Sequence, residues 1–225
     1  MRWQMTDHLL QSCPSPDITT FHHLRGEGER AHAYITRAMA VATEQGVRFR
    51  VAFDATLRGW VLGAQGHVTE GIAQMSQGLA VYQTTGAQTN QPWFLAVPAT
   101  LHGRAGQWED AQQRMAEAVA AMSAVGQIYY QAEVHRLKGE LLLQQNSANH
   151  AAAETCFQHA ISIAQTQQAK SLELRAATSL ARLWQRQGKR EEARQVLGDV
   201  YGWFTEGFDT ADLQEAKALL EALAG

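Results

Sequence analysis

GQWEDAQQRMAEA, residues 106–118, places Gly106 five positions before Ala111, Met115 four positions after it and Ala118 three further on. The same frame recurs along the chain. Small residues stand at Ala31, Gly71, Ala111, Ala153 and Ala193, spaced by 40, 40, 42 and 40 residues. The larger apolar partners are Ile35, Met75, Met115, Phe157 and Leu197, and the next column is Ala38, Gly78, Ala118, Ala160 and Val200. Before each frame come Gly26, Gly66, Gly106, Ala148 and Gly188. Fifteen positions after each small residue come Gly46, Gly86, Gly126, Gln168 and Phe208, the last with Gly207 beside it. Columns that agree in size and polarity over such a period identify a structural repeat.

Each column has a role in a helical hairpin. A glycine that takes a left-handed backbone ends one helix. The small–large–small pattern then opens the next, where a small residue lets two helices approach and the large one fills the gap. Between the stops, apolar residues recur at three and four, as in Leu172, Ala176, Leu180 and Leu183. No comparable alternation supports strands. The reading predicts helices near 28–45, 47–64, 68–85, 90–105, 108–125, 128–145, 150–167, 170–187, 190–205 and 210–224. Pro92 should help to start the fourth, and Pro98 should kink it. One hairpin cannot bury both its apolar faces, so neighbours must stack. The fold class is therefore all-α, a right-handed α-solenoid of about ten helices with a period of about 40 residues. Residues 27–225 form its single domain, and residues 1–26, with Cys13-Pro14-Ser15-Pro16, form an irregular or partly helical segment.

Composition agrees with a soluble helical chain. Hydrophobic residues make up 45% and charged residues 18%, with four prolines in 225 residues. A net charge of −3 gives no general attraction to nucleic acid or to an anionic membrane. No apolar run of about 18 residues is present. Cys13 and Cys156 lack ligand spacing and read as free thiols, which sets the chain in the cytoplasm.

Three stretches carry a family resemblance: AEVHRLKGELLL at 132–143, AKSLELRAA at 169–177 and YGWFTEGFDT at 201–210. They resemble the C-terminal tetratricopeptide-like region of large bacterial signalling proteins. Those are adenylate/guanylate cyclase-type and LuxR/maltose-regulator-type proteins built around a predicted ATPase. The resemblance runs over about residues 21–225 and implies the repeat module alone. The cyclase, DNA-binding and ATPase parts are missing from the chain, and so is a GxxxxGK[ST] phosphate loop. In such modules the first helix of each pair lines an inner groove. By register, the resemblance assigns to that groove Phe53, Trp60, Trp93, Thr100, Glu133, Arg136, Glu140, Arg175 and Arg182, running from aromatic to mixed charge to basic.

Catalytic chemistry is not signalled. His22-His23 with His8 or His32 lacks a Cys or carboxylate at ligand spacing, so no metal site is expected. Cys156 and His159 share a helix, but a nucleophile also needs an activating base, an orienting group and a pocket. Asp54/Arg58 and Arg136/Glu140 have the spacing of surface salt links. The stretch 170–194 holds seven basic and three acidic residues, and the tail from Asp199 six acidic and one basic. These features suit solvated helix faces or a patch for an acidic peptide. The expected function is a non-catalytic interaction scaffold that binds a peptide or protein in the groove, with no cofactor, nucleic acid or membrane. The alternative is a small-molecule-sensing regulatory module of a signalling ATPase or cyclase system, with a pocket lined by Trp60, Trp93 and Tyr129 or Tyr130. An uncatalogued helical enzyme ranks below both. Solenoid ends without polar caps would also favour self-association through the helices at 28–45 and 210–224.

Overall fold

The computed structural model describes residues 28–86, 91–125 and 130–225. The expected irregular segment 1–26 lies outside them, as do Gly126 and Tyr129. Among the described residues the protein is all-helical, with ten helices and no strand. The chain forms two compact units, residues 1–88 and 89–225.

The first unit contains α1 (Gly28–Glu44), α2 (Arg48–Ala64) and α3 (Val68–Thr84). The second contains α4 (Gln91–Arg104), α5 (Trp108–Val125), α6 (Gln131–Gln145), α7 (His150–Thr166), α8 (Lys170–Arg186), α9 (Arg190–Tyr201) and α10 (Ala211–Ala224). Hairpin partners α2/α3, α4/α5, α6/α7 and α8/α9 pack together, as the repeat frame requires. In the second unit α6 also meets α4 and α8, and α8 meets α10. The first helices of successive pairs thus lie side by side, which is the α-solenoid arrangement.

The turns show why the columns exist. At the end of α2, Gly66 has φ +99°, its N–H donates to Gly63 O at 3.2 Å, and His67 N–H donates to Leu62 O at 2.9 Å. This closure satisfies carbonyls that the helix end would otherwise orphan. Gln168 stands in a column that is glycine in three repeats, and it adopts the same backbone, with φ +56°. Its N–H donates to Gln165 O at 3.1 Å, and Ala169 N–H donates to Ala164 O at 2.9 Å. The repeat's turn geometry therefore survives the loss of its glycine.

The packing columns are buried as the frame demands. Ile35, Met75, Met115, Phe157 and Leu197 are all inside, as are Gly71, Ala111, Ala153 and Ala193. Gly78 of α3 lies so near α2 that a Cβ there would collide with Thr56 Oγ1 and lie 2.8 Å from Ala52 O. The second unit's last core joins Leu174, Ala177 and Ala181 of α8 to Ala193 and Leu197 of α9 and to Leu213, Ala216 and Leu219 of α10. Each fully buried leucine or phenylalanine contributes roughly 1.5–3 kcal/mol.

Two details differ from the sequence expectation. α9 stops at Tyr201, four residues before the expected end at 205, and Trp203 N–H and Phe204 N–H bond back to Val200 O and Tyr201 O. Gly202 weakens the helix there, and i→i+3 bonds tighten the final turn. Asp54 was expected in a surface link with Arg58. Instead it is fully buried, its Oδ2 accepts from Arg50 Nε at 2.7 Å, and Arg58 Nε donates to Gln74 of α3 at 2.8 Å. Pro98 lies inside α4, which continues across it from Gln91 to Arg104.

Candidate functional site

In the second unit α8 packs against both α6 and α10, and charged residues from all three helices converge there. The foundation is Glu133 in the first turn of α6, buried at 3% exposure. Arg136, one turn along the same helix, donates to it from Nε at 2.9 Å and from Nη2 at 2.8 Å. Arg175 of α8 donates from Nη2 to Oε1 at 2.9 Å and from Nε to Oε2 at 3.3 Å. Two guanidiniums thus hold one carboxylate, each with the planar fork that suits it. Burial alone would raise the Glu133 pKa. The adjacent Arg136 and Arg175 charges outweigh it and hold the carboxyl well below the usual range.

The network extends from there to α10. Arg175 Nη1 reaches Asp212 at 3.2 Å, while Arg136 Nη1 donates weakly to Ser179 Oγ at 3.4 Å. Ser179 Oγ donates to Glu140 Oε1 at 2.7 Å, and Arg136 lies 3.6 Å from the same carboxylate. Burial raises the Asp212 pKa; Arg175 opposes that effect and the nearby Glu133 charge adds to it. At the rim, Arg182 of α8 pairs with Glu215 of α10, and both are about two-fifths exposed, at 43% and 41%. Burial lowers the Arg182 pKa, Glu140 counters it, and Arg186 and Arg136 lower it further. These side chains enclose a polar cleft of about 70 Å³ bounded by Arg136, Arg175, Ser179, Arg182, Asp212 and Glu215.

Five residues assigned to the groove by register, Glu133, Arg136, Glu140, Arg175 and Arg182, are therefore brought together. Arg136 and Arg175 spend their guanidiniums inside the protein, and the Arg136/Glu140 surface link is the weaker part of a half-buried network. The others occupy different settings. Trp93 is 1% exposed, with its ring against Phe94 and Tyr130 at 5.0 and 5.7 Å. Thr100 donates to Val97 O of its own helix at 2.7 Å. In the first unit, Phe53 is buried beside Phe49, and Trp60 is half-buried on α2.

Sequence reading missed Ser179, Asp212 and Glu215. Asp212 and Glu215 lie three apart on a helix whose apolar stripe Leu213, Ala216, Leu219 and Leu223 was legible, so their shared face could have been inferred. His8, His22 and His23 lie outside the described residues, as does the His32 side chain. His159 stacks near His135, ring centroids 4.2 Å apart, while Cys156 is buried and unpaired. Among the described residues no group of three or more His, Cys, Asp or Glu side chains could hold a metal ion, and no helix is long and apolar enough to cross a membrane.

No protein-family model matches the chain. An uncharacterized protein of Rhizobium meliloti (strain 1021) is 31% identical over 125 residues, which is 56% of this chain and 12% of that protein. The chain thus spans a small part of that relative's length. Among solved structures, the nearly identical TPR-like repeats of a kinesin light chain-like protein from Podosopora anserina superpose with a TM-score of 0.53. The identity there is 15%, over 83% of this chain and 91% of the other. That likeness shows a TPR-like fold.

Proposed function

We propose that the protein is a non-catalytic interaction scaffold, and that the face built by α6, α8 and α10 docks a carboxylate-bearing peptide of a protein partner. The supporting observation is the graded charge network. Glu133, Arg136 and Arg175 are committed to one another, which ties α6 to α8, and the Arg175–Asp212 pair ties α8 to α10. Arg182 is held at the rim by one half-exposed partner, Glu215. A surface pair of that kind contributes about 0–1 kcal/mol, so an incoming carboxylate can replace Glu215 at little cost. The preset network below keeps the cost of ordering the face low. The proposal sets the module in the cytoplasm as part of a larger bacterial signalling system.

The test is affinity capture of the tagged protein from its host's lysate beside an Arg182→Glu variant, followed by titration of a peptide from any captured partner. Arg136 is unsuitable for this purpose, because its replacement would disturb the buried network. A partner held by the wild type and released by a folded Arg182→Glu variant supports the reading. A partner held equally by both overturns the assignment of the site.

A further inference from the structure

On another part of the second unit, α5 and α7 share no contact among the described residues. There α5 and α6 together line an open cleft. At its end Gln112 Nε2 of α5 donates to Gln145 Oε1 of α6 at 3.0 Å. Inside lies a cavity of about 390 Å³ with walls that include Met115, Val119, Leu141 and Leu142. This volume is within the roughly 300–1,000 Å³ range of small-molecule sites, which combine apolar walls with a few orienting polar groups.

Lys138 is, among the described residues, the one charged side chain that lines this cavity. Among the described residues it forms no ion pair, and its charge is felt by His135 and Cys156. A half-buried lysine at the edge of an apolar cavity, without an ion-pair partner among the described residues, favours an incoming counter-charge. The complement is an anion with an apolar body. A partner helix would match the apolar walls but not a single isolated cation.

We propose that the α5/α6 cleft binds an amphipathic monocarboxylate, with its apolar chain against Met115, Val119, Leu141 and Leu142 and its carboxylate on Lys138. This site is separate from the α6/α8/α10 face and does not depend on the peptide-docking reading. It gives the module a small-molecule input away from the aromatic residues that sequence reading had considered.

Titration calorimetry of the full chain with sodium dodecanoate and with dodecan-1-ol tests it. Dodecanoate should saturate one site. Lys138→Met should weaken it about tenfold, the loss of one charge-assisted contact, while changing dodecan-1-ol affinity less than about twofold. Ala120→Trp, an exposed lining position, should fill the cavity and weaken both ligands, with circular dichroism verifying the fold. Absence of saturable dodecanoate binding would overturn the proposal. So would binding that neither variant changes, or equal wild-type affinity for acid and alcohol. Self-association abolished by Ala120→Trp without dodecanoate binding would also overturn it and assign the cleft to a second copy of the chain.

Discussion

Arg175 and Glu133, 42 positions apart in the chain, form a two-point guanidinium–carboxylate contact that joins α8 to α6. Arg136 completes the contact from the carboxylate's own helix. The carboxylate is thus compensated twice, and each arginine retains a second, weaker acceptor, Asp212 or Glu140. The arrangement explains how a charged residue can occupy the floor between helices at 3% exposure.

Glu133→Gln should lower stability by about 3 kcal/mol, at the low end for breaking a buried pair because each arginine keeps an alternative partner. Urea unfolding with circular dichroism measures this. A change below about 0.5 kcal/mol would mean that the pair adds nothing beyond side-chain volume.

The rim pair should behave differently. A double-mutant cycle of Arg182→Ala and Glu215→Ala should give a coupling of about 0–1 kcal/mol, since both side chains lie at the rim and are partly exposed. A coupling above about 2 kcal/mol would contradict the easy exchange on which partner docking relies.

Asp54 and Glu133 should give opposite pH slopes. Burial raises Asp54 from 3.8 to about 6, against the hydrogen bond and charge of Arg50. The folded state therefore holds this proton more tightly, and the associated stability is lost as pH rises from about 4 through 6, by about 2–3 kcal/mol. Asp54→Asn should flatten that slope in a series of urea titrations. Glu133 is depressed, so its contribution is present above the ordinary value of 4.5 and declines as pH falls below it. Glu133→Gln should leave the slope between pH 4.5 and 6 unchanged. The reverse pattern would contradict both assignments.

Two glycines should respond to alanine for different reasons. Gly78→Ala should destabilise by about 1–3 kcal/mol or more through overpacking. Thr56→Ala should not rescue it, because backbone Ala52 O would still be 2.8 Å from the new Cβ. Gly106→Ala faces open space and loses only its comfortable φ of +74°, a cost of roughly 1 kcal/mol. Thermal unfolding of the three variants distinguishes packing from backbone strain.

The sequence by itself determined the repeat. Gly66, Gly106 and Gly188 mark turns through backbone conformation, and Met75, Phe157 and Leu197 mark buried helix faces through spacing, because both are local consequences of residue type. The family resemblance, carried over by register, also assigned Glu133, Arg136, Glu140, Arg175 and Arg182 to one groove. The partners were decided by tertiary structure. Asp54 has an arginine four positions away on either side, Arg50 and Arg58, and helical spacing does not distinguish them. The choice falls to Arg50 because Gln74, from another helix, engages Arg58. The α5/α6 cleft depends in the same way on how two helices are placed against each other. That placement is set by how many side chains pack together, and no single stretch of sequence encodes it.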